Sequence, residues 1–298
     1  MSFKKKKRLL PWLLVILPAW LIGSGAIALV QYFKNEKATL VEEEKRFSQS
    51  VSPEAIKDDL RKLITIVGER NTGKPAQLAS TAAMVEGLLG PSNTGFTVKK
   101  IDGPGDFPIL HVTVLGKDEK NAPVWILTSY DSPRGSSGAE KNATGLSATL
   151  ATAQAFADSN PESSVHFMFL PHVNDLESPV LETATIARNF IKNAPTAKSI
   201  FCVETMGDSE SLILTSRDTE AIPTDEFEGL GKILGAEVMC LGEDFDLAST
   251  LFEMGLPAIR IATRPTLLPD EEDEKIPFAP TLAASTGRLV ELVKRISN

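Results

Sequence analysis

The sequence predicts an α/β fold with a mostly parallel central sheet flanked by helices on both faces, preceded by one N-terminal transmembrane helix. Short apolar runs rich in β-branched residues alternate with longer segments whose apolar residues recur at helical spacing. This alternation is typical of a parallel sheet covered by helices. At 298 residues the length allows one large domain or two small ones, and 42% apolar residues supply ample material for a core.

The first 52 residues predict a membrane tether. Residues 1–8 form a basic tail with five of the 31 Lys and Arg residues, and the 25 residues of 9–33 carry no charge. A run of this length can span a bilayer, and the basic tail predicts a cytoplasmic N-terminus with the rest exported. A cleaved signal peptide, with its cleavage site at residues 26–28, is the alternative. Residues 34–52 are predicted to be a charged stalk.

The α/β domain is predicted to cover residues 53–298. Ser52 can cap its first helix and Pro53 fits the first helical turn, and apolar residues repeat at helical spacing from Ile56 to Val67. Strands are predicted at 96–101, 109–115, 124–127, 165–170, 199–203, 212–215, 237–240 and 258–262. Further helices are predicted at 76–89, 142–157, 180–191, 225–234, 247–254 and 281–296.

Charge and cysteine content exclude some classes of function. Beyond residue 8 the chain carries 26 basic and 39 acidic residues, which argues against a nucleic-acid partner because phosphate binding needs a basic surface. Cys202 and Cys240 have no zinc-ligand spacing. Two buried thiols are favoured, and a disulfide in an exported domain remains open. The acidic loop 270–274 is interpreted as solvated rather than functional.

The stretch 124–145 carries the polar groups expected of a site. Its apolar strand ends in Ser129-Tyr130-Asp131-Ser132, crosses a loop rich in glycine and serine, and enters a helix near Asn142. Open α/β sheets place their sites at such carboxyl ends of strands.

This stretch resembles the di-zinc aminopeptidase family, whose zinc exopeptidase fold is shared by leucyl aminopeptidases, glutaminyl cyclase, nicastrin and the transferrin receptor. In that family a buried strand ends in His-Tyr-Asp-Ser, and the next helix opens with Gly-Ala-Asp-Asp-Asn-Ala-Ser-Gly. Here residues 138–145 read Gly-Ala-Glu-Lys-Asn-Ala-Thr-Gly. Five other segments resemble family motifs in the family's order, at 56–70, 110–116, 165–170, 203–207 and 255–258. The resemblance implies the same fold from about residue 53 to the C-terminus.

The resemblance also implies that most of the family's metal ligands are replaced. Ser129 stands where the family has a histidine ligand, and Lys141 where it has the aspartate that bridges two zinc ions. A Glu-Glu pair supplies the family's general base and a ligand. Its counterpart is Val173-Asn174, or Asn174-Asp175 if the register slips by one. Glu204 replaces an aspartate ligand and remains chemically suitable.

The last histidine ligand of the family has no counterpart, because the chain has no histidine after His172. His111 and His166 fall in predicted strands away from the site. His172 follows a strand end, where a hydrogen-bonded loop histidine is favoured over a metal ligand.

We therefore expect no catalytic residue, no bound metal and no cofactor, although the family binds zinc. Lys141 is hypothesised to replace the metal as the positive centre, and a surface lysine near a helix start is the alternative. A Ser129–Lys141 catalytic pair and a calcium site on loop acids are less favoured. The former-site pocket is assigned to Ser129, Asp131, Lys141, Asn142, Asn174, Asp175 and Glu204.

The expected function is that of a membrane-anchored, exported domain that acts as a non-catalytic binding or scaffold domain. It is expected to be a single-pass protein of the cell membrane, with the domain on the periplasmic or extracellular side and a peptide or protein as partner. One alternative is an active metallo-aminopeptidase or related amide hydrolase with an atypical metal site that uses Glu204 and Asp131. Another is a structural ectodomain whose main role belongs to the anchor and stalk.

Overall fold

A computed structural model describes residues 51–175, 179–193, 196–235, 247–265, 273 and 275–298, together with residues 20, 23–25 and 28–32. The chain divides into two units, Met1–Gln49 and Ser50–Asn298, and the α/β domain belongs to the second. In the first unit, residues 23–25 and 28–32 are helical. None of the helices formed by described residues has the length and hydropathy needed to cross a membrane. The basic tail, most of the anchor predicted at 9–33 and most of the stalk lie outside the described residues.

The first helix begins as the sequence predicts. The Ser52 hydroxyl accepts the main-chain N–H of Ala55 at 3.3 Å, and Pro53 occupies the first turn of α1 (Pro53–Arg61). The chain then continues as a π-helical segment, Lys62–Val67. The other helices are α2 (Pro75–Leu89), α3 (Thr144–Gln154), α4 (Val180–Lys192), α5 (Thr224–Phe227), α6 (Leu247–Glu253) and α7 (Ala279–Ser297).

The described strands form a single sheet. They are β1 (Lys99–Ile101), β2 (Ile109–Val114), β3 (Val124–Ser129), β4 (Val165–Leu170), β5 (Ser199–Val203), β6 (Leu212–Thr215), β7 (Gly231–Gly235) and β8 (Ala258–Ala262). Their order in the sheet is β1-β2-β4-β3-β5-β8-β6-β7.

The sheet is mixed rather than purely parallel, with four parallel and three antiparallel pairs among the described strands. The central pairs β4–β3, β3–β5 and β5–β8 are parallel, as is β6–β7. The pairs β1–β2, β2–β4 and β8–β6 are antiparallel. Residues 102–108 join β1 to β2 and are too few for the crossover that a parallel neighbour requires. The α/β architecture and the parallel centre are confirmed.

The helix predicted at 225–234 is wrong. Only Thr224–Phe227 is helical there, and Gly231–Gly235 is strand β7. Gly229 has φ +77°, which ends helical geometry, and a Cβ on Gly231 would lie 2.1 Å from the main-chain oxygen of Leu212. Glycine therefore lets β7 approach its neighbour.

Cys202 is buried on β5, as predicted for this thiol. The strand predicted at 237–240, with Cys240, lies outside the described residues.

Helices cover both faces of the sheet. On β3, Val124 and Ile126 belong to one apolar cluster, whereas Trp125 and Leu127 belong to a second. Because successive strand residues point to opposite faces, the two clusters lie on opposite sides of the sheet. Buried residues of α1, α2, α3 and α7 complete the first cluster, and those of α4 and α6 complete the second.

Gly145 sets how closely α3 approaches the end of β5. A Cβ on this residue would lie 2.2 Å from the main-chain oxygen of Glu204. This contact explains why a glycine ends the 138–145 motif, and it brings the start of α3 against the strand ends where the candidate site lies.

Candidate functional site

Polar side chains from three segments meet where β3 and β4 end. Ser129 is the last residue of β3, and Asp131 follows two residues later. The loop after β4 contributes Asn174 and Asp175, and the segment that enters α3 contributes Asn142. The side chains of Ser129, Asp131, Asn142 and Asn174 form one hydrogen-bonded cluster, and Asp175 joins it through its main-chain N–H.

The carboxylate of Asp131 binds the loop that follows β4. It is fully buried, and its Oδ2 accepts the main-chain N–H groups of Val173, Asn174 and Asp175 at 2.9, 2.8 and 3.2 Å. Its Oδ1 accepts the Asn174 side-chain amide at 3.1 Å. Burial raises the pKa of Asp131 to about 6, although the N–H donors act to lower this pKa. The carboxylate thus fixes the loop to the end of β3.

The hydroxyl of Ser129 is committed to two side-chain amides. Its oxygen accepts the Nδ2 groups of Asn142 and Asn174 at 2.5 and 2.7 Å, and its exposed fraction is 8%. A hydroxyl oxygen has two lone pairs, so both are used by these N–H groups. The lone pairs of this hydroxyl are therefore not available to ligate an ion, and none of its bonds to described residues is to a base that would make it a nucleophile.

Arg70 holds Asn142 from the other side, and sequence reasoning did not assign it to the site. Its buried guanidinium donates to the Asn142 side-chain oxygen, to the Tyr130 carbonyl at 3.1 Å and to the Ser137 carbonyl at 2.6 Å. Burial lowers its pKa to about 10. Because Arg70 fixes the oxygen of Asn142, the Asn142 nitrogen must face Ser129.

Asp175 binds a different part of the chain. This buried carboxylate accepts the hydroxyl of Thr72 and the Nε of Arg134, the latter at 3.0 Å. Asp175 therefore ties the segment after Arg70 to the loop after β4, which closes this side of the cluster.

Glu204 follows β5 and forms an ion pair with Arg260 of β8. The Arg260 side chain is buried, with 3% of it exposed, and 20% of the Glu204 side chain is exposed. A guanidinium bonded to this carboxylate competes with any cation for the same oxygen. Arg260 was not predicted, although a charged residue in the otherwise apolar strand 258–262 is a signal that could have found it.

Lys141 lies at the start of the helical segment before α3. Its main-chain N–H and that of Glu140 donate to Asp273 Oδ1 at 3.0 and 2.7 Å. The Lys141 side chain is half-buried. These main-chain contacts do not test the hypothesis that the Lys141 side chain is the positive centre of the pocket, so that role stays a prediction.

Asp273 is buried, with 8% exposed, so the interpretation of loop 270–274 as solvated is wrong at this residue. Residues 270–272 and 274 lie outside the described residues. Burial raises the pKa of Asp273, although the main-chain N–H groups of Glu140 and Lys141 act to lower this pKa. A carboxylate at a helix start accepts these otherwise unsatisfied groups. Burial likewise raises the pKa of Glu140, whose carboxylate lies 3.4 Å from Arg264.

His172 is a hydrogen-bonded loop residue, as predicted. It is buried, and its Nε2 donates to the Pro104 carbonyl at 3.1 Å. The ring of Phe107 packs edge-on with the centroids 5.6 Å apart. Burial lowers the pKa of His172.

The residues at the family's ligand positions do not fit a pair of zinc ions. Ser129 uses its lone pairs on amides, Lys141 is a cation, and Asn174 supplies an amide that donates to its neighbours. Glu204 is bonded to Arg260. Across the described part of the chain, no group of three or more His, Cys, Asp or Glu side chains is arranged to hold an ion.

Comparisons with known proteins establish the fold. No protein-family model and no curated protein matches the sequence. The LapA aminopeptidase of Legionella pneumophila is similar in structure, with a TM-score of 0.63 and 12% identity over 86% of this chain and 74% of LapA. A leucine aminopeptidase precursor from Bacteroides thetaiotaomicron has a TM-score of 0.59 and 12% identity over 82% of this chain and 97% of its own.

A glutaminyl cyclase from the same organism, bound to N-acetylhistamine, has a TM-score of 0.58 and 12% identity over 82% of this chain and 98% of its own. At this level of identity the likeness shows a shared fold and not a shared activity. The domain therefore has the zinc-exopeptidase-like fold that its sequence motifs predict.

Proposed function

We propose that this chain is a non-catalytic binding or scaffold domain, built on the zinc-exopeptidase-like fold and tethered to the cell membrane. The observation that carries the proposal is the pair of amide donors on Ser129, because they use the lone pairs of the residue at the histidine-ligand position. The Arg260–Glu204 ion pair supports it, since it uses the remaining suitable carboxylate. A domain that keeps the frame but replaces the family's metal ligands is suited to recognition of a peptide or protein partner without cleavage.

Amide hydrolysis tests the loss of catalysis. The full-length protein, purified in a non-ionic detergent and incubated with zinc, is expected to hydrolyse leucyl-p-nitroanilide no faster than its Glu204→Gln variant. Hydrolysis that depends on Glu204 contradicts the proposal and favours the alternative, an amide hydrolase with an atypical metal site.

Restored ligands provide a positive control for metal binding at the candidate site. In the triple variant Ser129→His, Lys141→Asp and Asn174→Glu, three family-type ligands join Glu204. We expect this variant to retain more zinc than the wild type after desalting. That result would show that the fold can still hold a metal at this position when the ligands are present. A thermal melt of each variant checks that it is folded.

Lys141 is proposed to supply positive charge that offsets the carboxylates around it. Replacement by alanine is then expected to lower the melting temperature more than Lys57→Ala, which removes an exposed lysine of α1. Equal melting temperatures for the two variants contradict this role.

The membrane tether is proposed from the basic tail and the uncharged run at residues 9–33. The full-length protein is expected to stay in the membrane pellet after alkaline carbonate extraction, and a variant that lacks residues 1–33 is expected to be released. External protease is expected to degrade the domain in spheroplasts or intact cells. A full-length protein that carbonate extracts contradicts the tether.

A further inference from the structure

A second cluster of polar side chains lies away from the candidate site. It consists of His111 and Thr113 on β2, His166 on β4 and Trp125 on β3, and we call it the histidine cluster. Thr113 and Trp125 lie directly opposite His166 on the two neighbouring strands. Trp125 precedes Ser129 by four residues on β3, which corresponds to about 13 Å along an extended strand.

Three polar atoms of the histidine cluster form a nearly equilateral triangle and hydrogen-bond to one another. His111 Nε2 lies 3.1 Å from His166 Nδ1, and the Thr113 hydroxyl oxygen lies 3.3 and 3.2 Å from these two nitrogens. Two ligand atoms on a tetrahedral zinc ion are about 3.3–3.4 Å apart when each lies about 2.0–2.1 Å from the metal. The triangle therefore has close to the dimensions of one face of a tetrahedral metal site.

Aromatic packing holds the two imidazoles in place. The Trp125 indole stacks on His166 with centroids 4.1 Å apart and planes at 13°, and Phe190 of α4 packs edge-on against His111 at 4.9 Å. His111 is buried, whereas His166 and Thr113 are half-buried, so water can reach one side of the triangle.

Two further polar atoms of the cluster are left unsatisfied. His111 Nδ1 and Trp125 Nε1 are buried without a hydrogen-bond partner among the described residues. Apolar packing alone does not account for polar atoms left in this state.

We propose that the histidine cluster binds one divalent transition-metal ion of the zinc, copper or nickel class. His111 Nε2, His166 Nδ1 and the Thr113 hydroxyl are the ligands, and water completes the coordination. Imidazole nitrogen selects these ions over magnesium and calcium, which take oxygen ligands. Lys99, opposite His111 on β1, acts electrostatically on both imidazoles and opposes a bound cation. Its charge therefore limits the affinity of the site.

Isothermal titration calorimetry tests this site with the chelator-treated full-length protein in detergent. Zinc chloride and copper(II) chloride are each expected to bind at one ion per chain, copper more tightly. His166→Gln is expected to weaken zinc binding at least about tenfold, because it removes a ligand. The matched control His172→Gln replaces the chain's third histidine and is expected to leave the affinity unchanged.

Two further variants distinguish a metal site from a packing cluster. Lys99→Gln removes a nearby positive charge and is expected to tighten zinc binding by a factor of about two to five, an effect that a purely structural role does not produce. Thr113→Val is expected to weaken it. No heat of binding at millimolar zinc, or an affinity that neither His166→Gln nor Lys99→Gln changes, overturns the proposal. Its outcome is independent of the proposed function, which concerns zinc that depends on Glu204.

Discussion

The candidate site at one end of β3 and the histidine cluster near the other end differ in what their polar atoms bond to. At the candidate site, Asp131 accepts four N–H donors and Ser129 accepts two. In the histidine cluster, the ring nitrogens and the hydroxyl contact one another, and His111 Nδ1 has no partner among the described residues. The comparison shows that a frame resembling a metal site need not keep its lone pairs available for an ion. At the proposed metal site, an ion has to displace the protons that the three polar atoms share.

The largest loss of stability is expected from substitution of Arg70, whose guanidinium fixes the Asn142 side chain at the candidate site. Arg70→Met removes a buried guanidinium and leaves the Asn142 side-chain oxygen and three main-chain carbonyls without this donor. We expect the free energy of unfolding to fall by about 3–5 kcal/mol. Urea unfolding at pH 7 measures this change in the free energy of unfolding.

The matched control for Arg70 is Arg61→Met, because Arg61 makes an exposed ion pair with Asp58. We expect that change to cost less than about 1 kcal/mol. A similar small loss for Arg70→Met would mean that the hydrogen-bonded cluster contributes little, and the contrast between the two regions would disappear.

A smaller effect is expected where α3 meets the candidate site. Gly145→Ala places a Cβ 2.2 Å from the Glu204 carbonyl oxygen, and the resulting displacement is expected to cost about 1–3 kcal/mol. Gly287→Ala is the control, because its Cβ would meet nothing within 4 Å. It is expected to stabilise α7 by about 0.5–1 kcal/mol. Equal effects in urea unfolding would show that the close approach of α3 is not required.

The smallest effect is a pH dependence of opposite sign in the two regions. The pKa values of His111 and His166 are about 3 and about 4 in the folded state, below the value of about 6.5 in an unfolded chain. The unfolded state therefore binds more protons below pH 6.5, and their contribution to stability falls as the pH drops. The pKa of Asp131 is raised to about 6, so its contribution rises as the pH drops below 6.

Urea unfolding at pH 7 and pH 5 separates these contributions. His166→Gln is expected to reduce the loss of stability between the two pH values by roughly 1–2 kcal/mol, with allowance for the partial exposure of the ring. Asp131→Asn is expected to make that loss larger. If His166→Gln leaves the pH dependence unchanged, the ring is not held neutral by burial.

Local patterns in the sequence predicted much of the fold. The strands predicted at 165–170, 199–203, 212–215 and 258–262 have the observed bounds, because each is a short apolar run between polar segments. The strand at 231–235 was missed because its glycines and lysine lack such a pattern. The antiparallel flanks were missed because strand direction depends on pairing between distant segments.

The candidate site was predicted in part for the same reason. Ser129 and Asn142 were found because they lie within one continuous motif. Arg70 and Asp273 were missed because they reach the site from about 70 and 130 residues away in the chain, and no local pattern reports such contacts. The structure also joins Asn174 to Ser129, a contact that gives physical meaning to the replacement of the family's glutamate.

The zinc content of the full-length protein tests whether the candidate site has lost its metal. The wild type, Glu204→Gln and His166→Gln are incubated with zinc and desalted, and bound zinc is measured by inductively coupled plasma mass spectrometry. We expect Glu204→Gln to retain as much zinc per chain as the wild type, since no zinc depends on the candidate site. Two ions per wild-type chain, lost in Glu204→Gln, would contradict the proposed loss of the metal site and would indicate a working zinc pair.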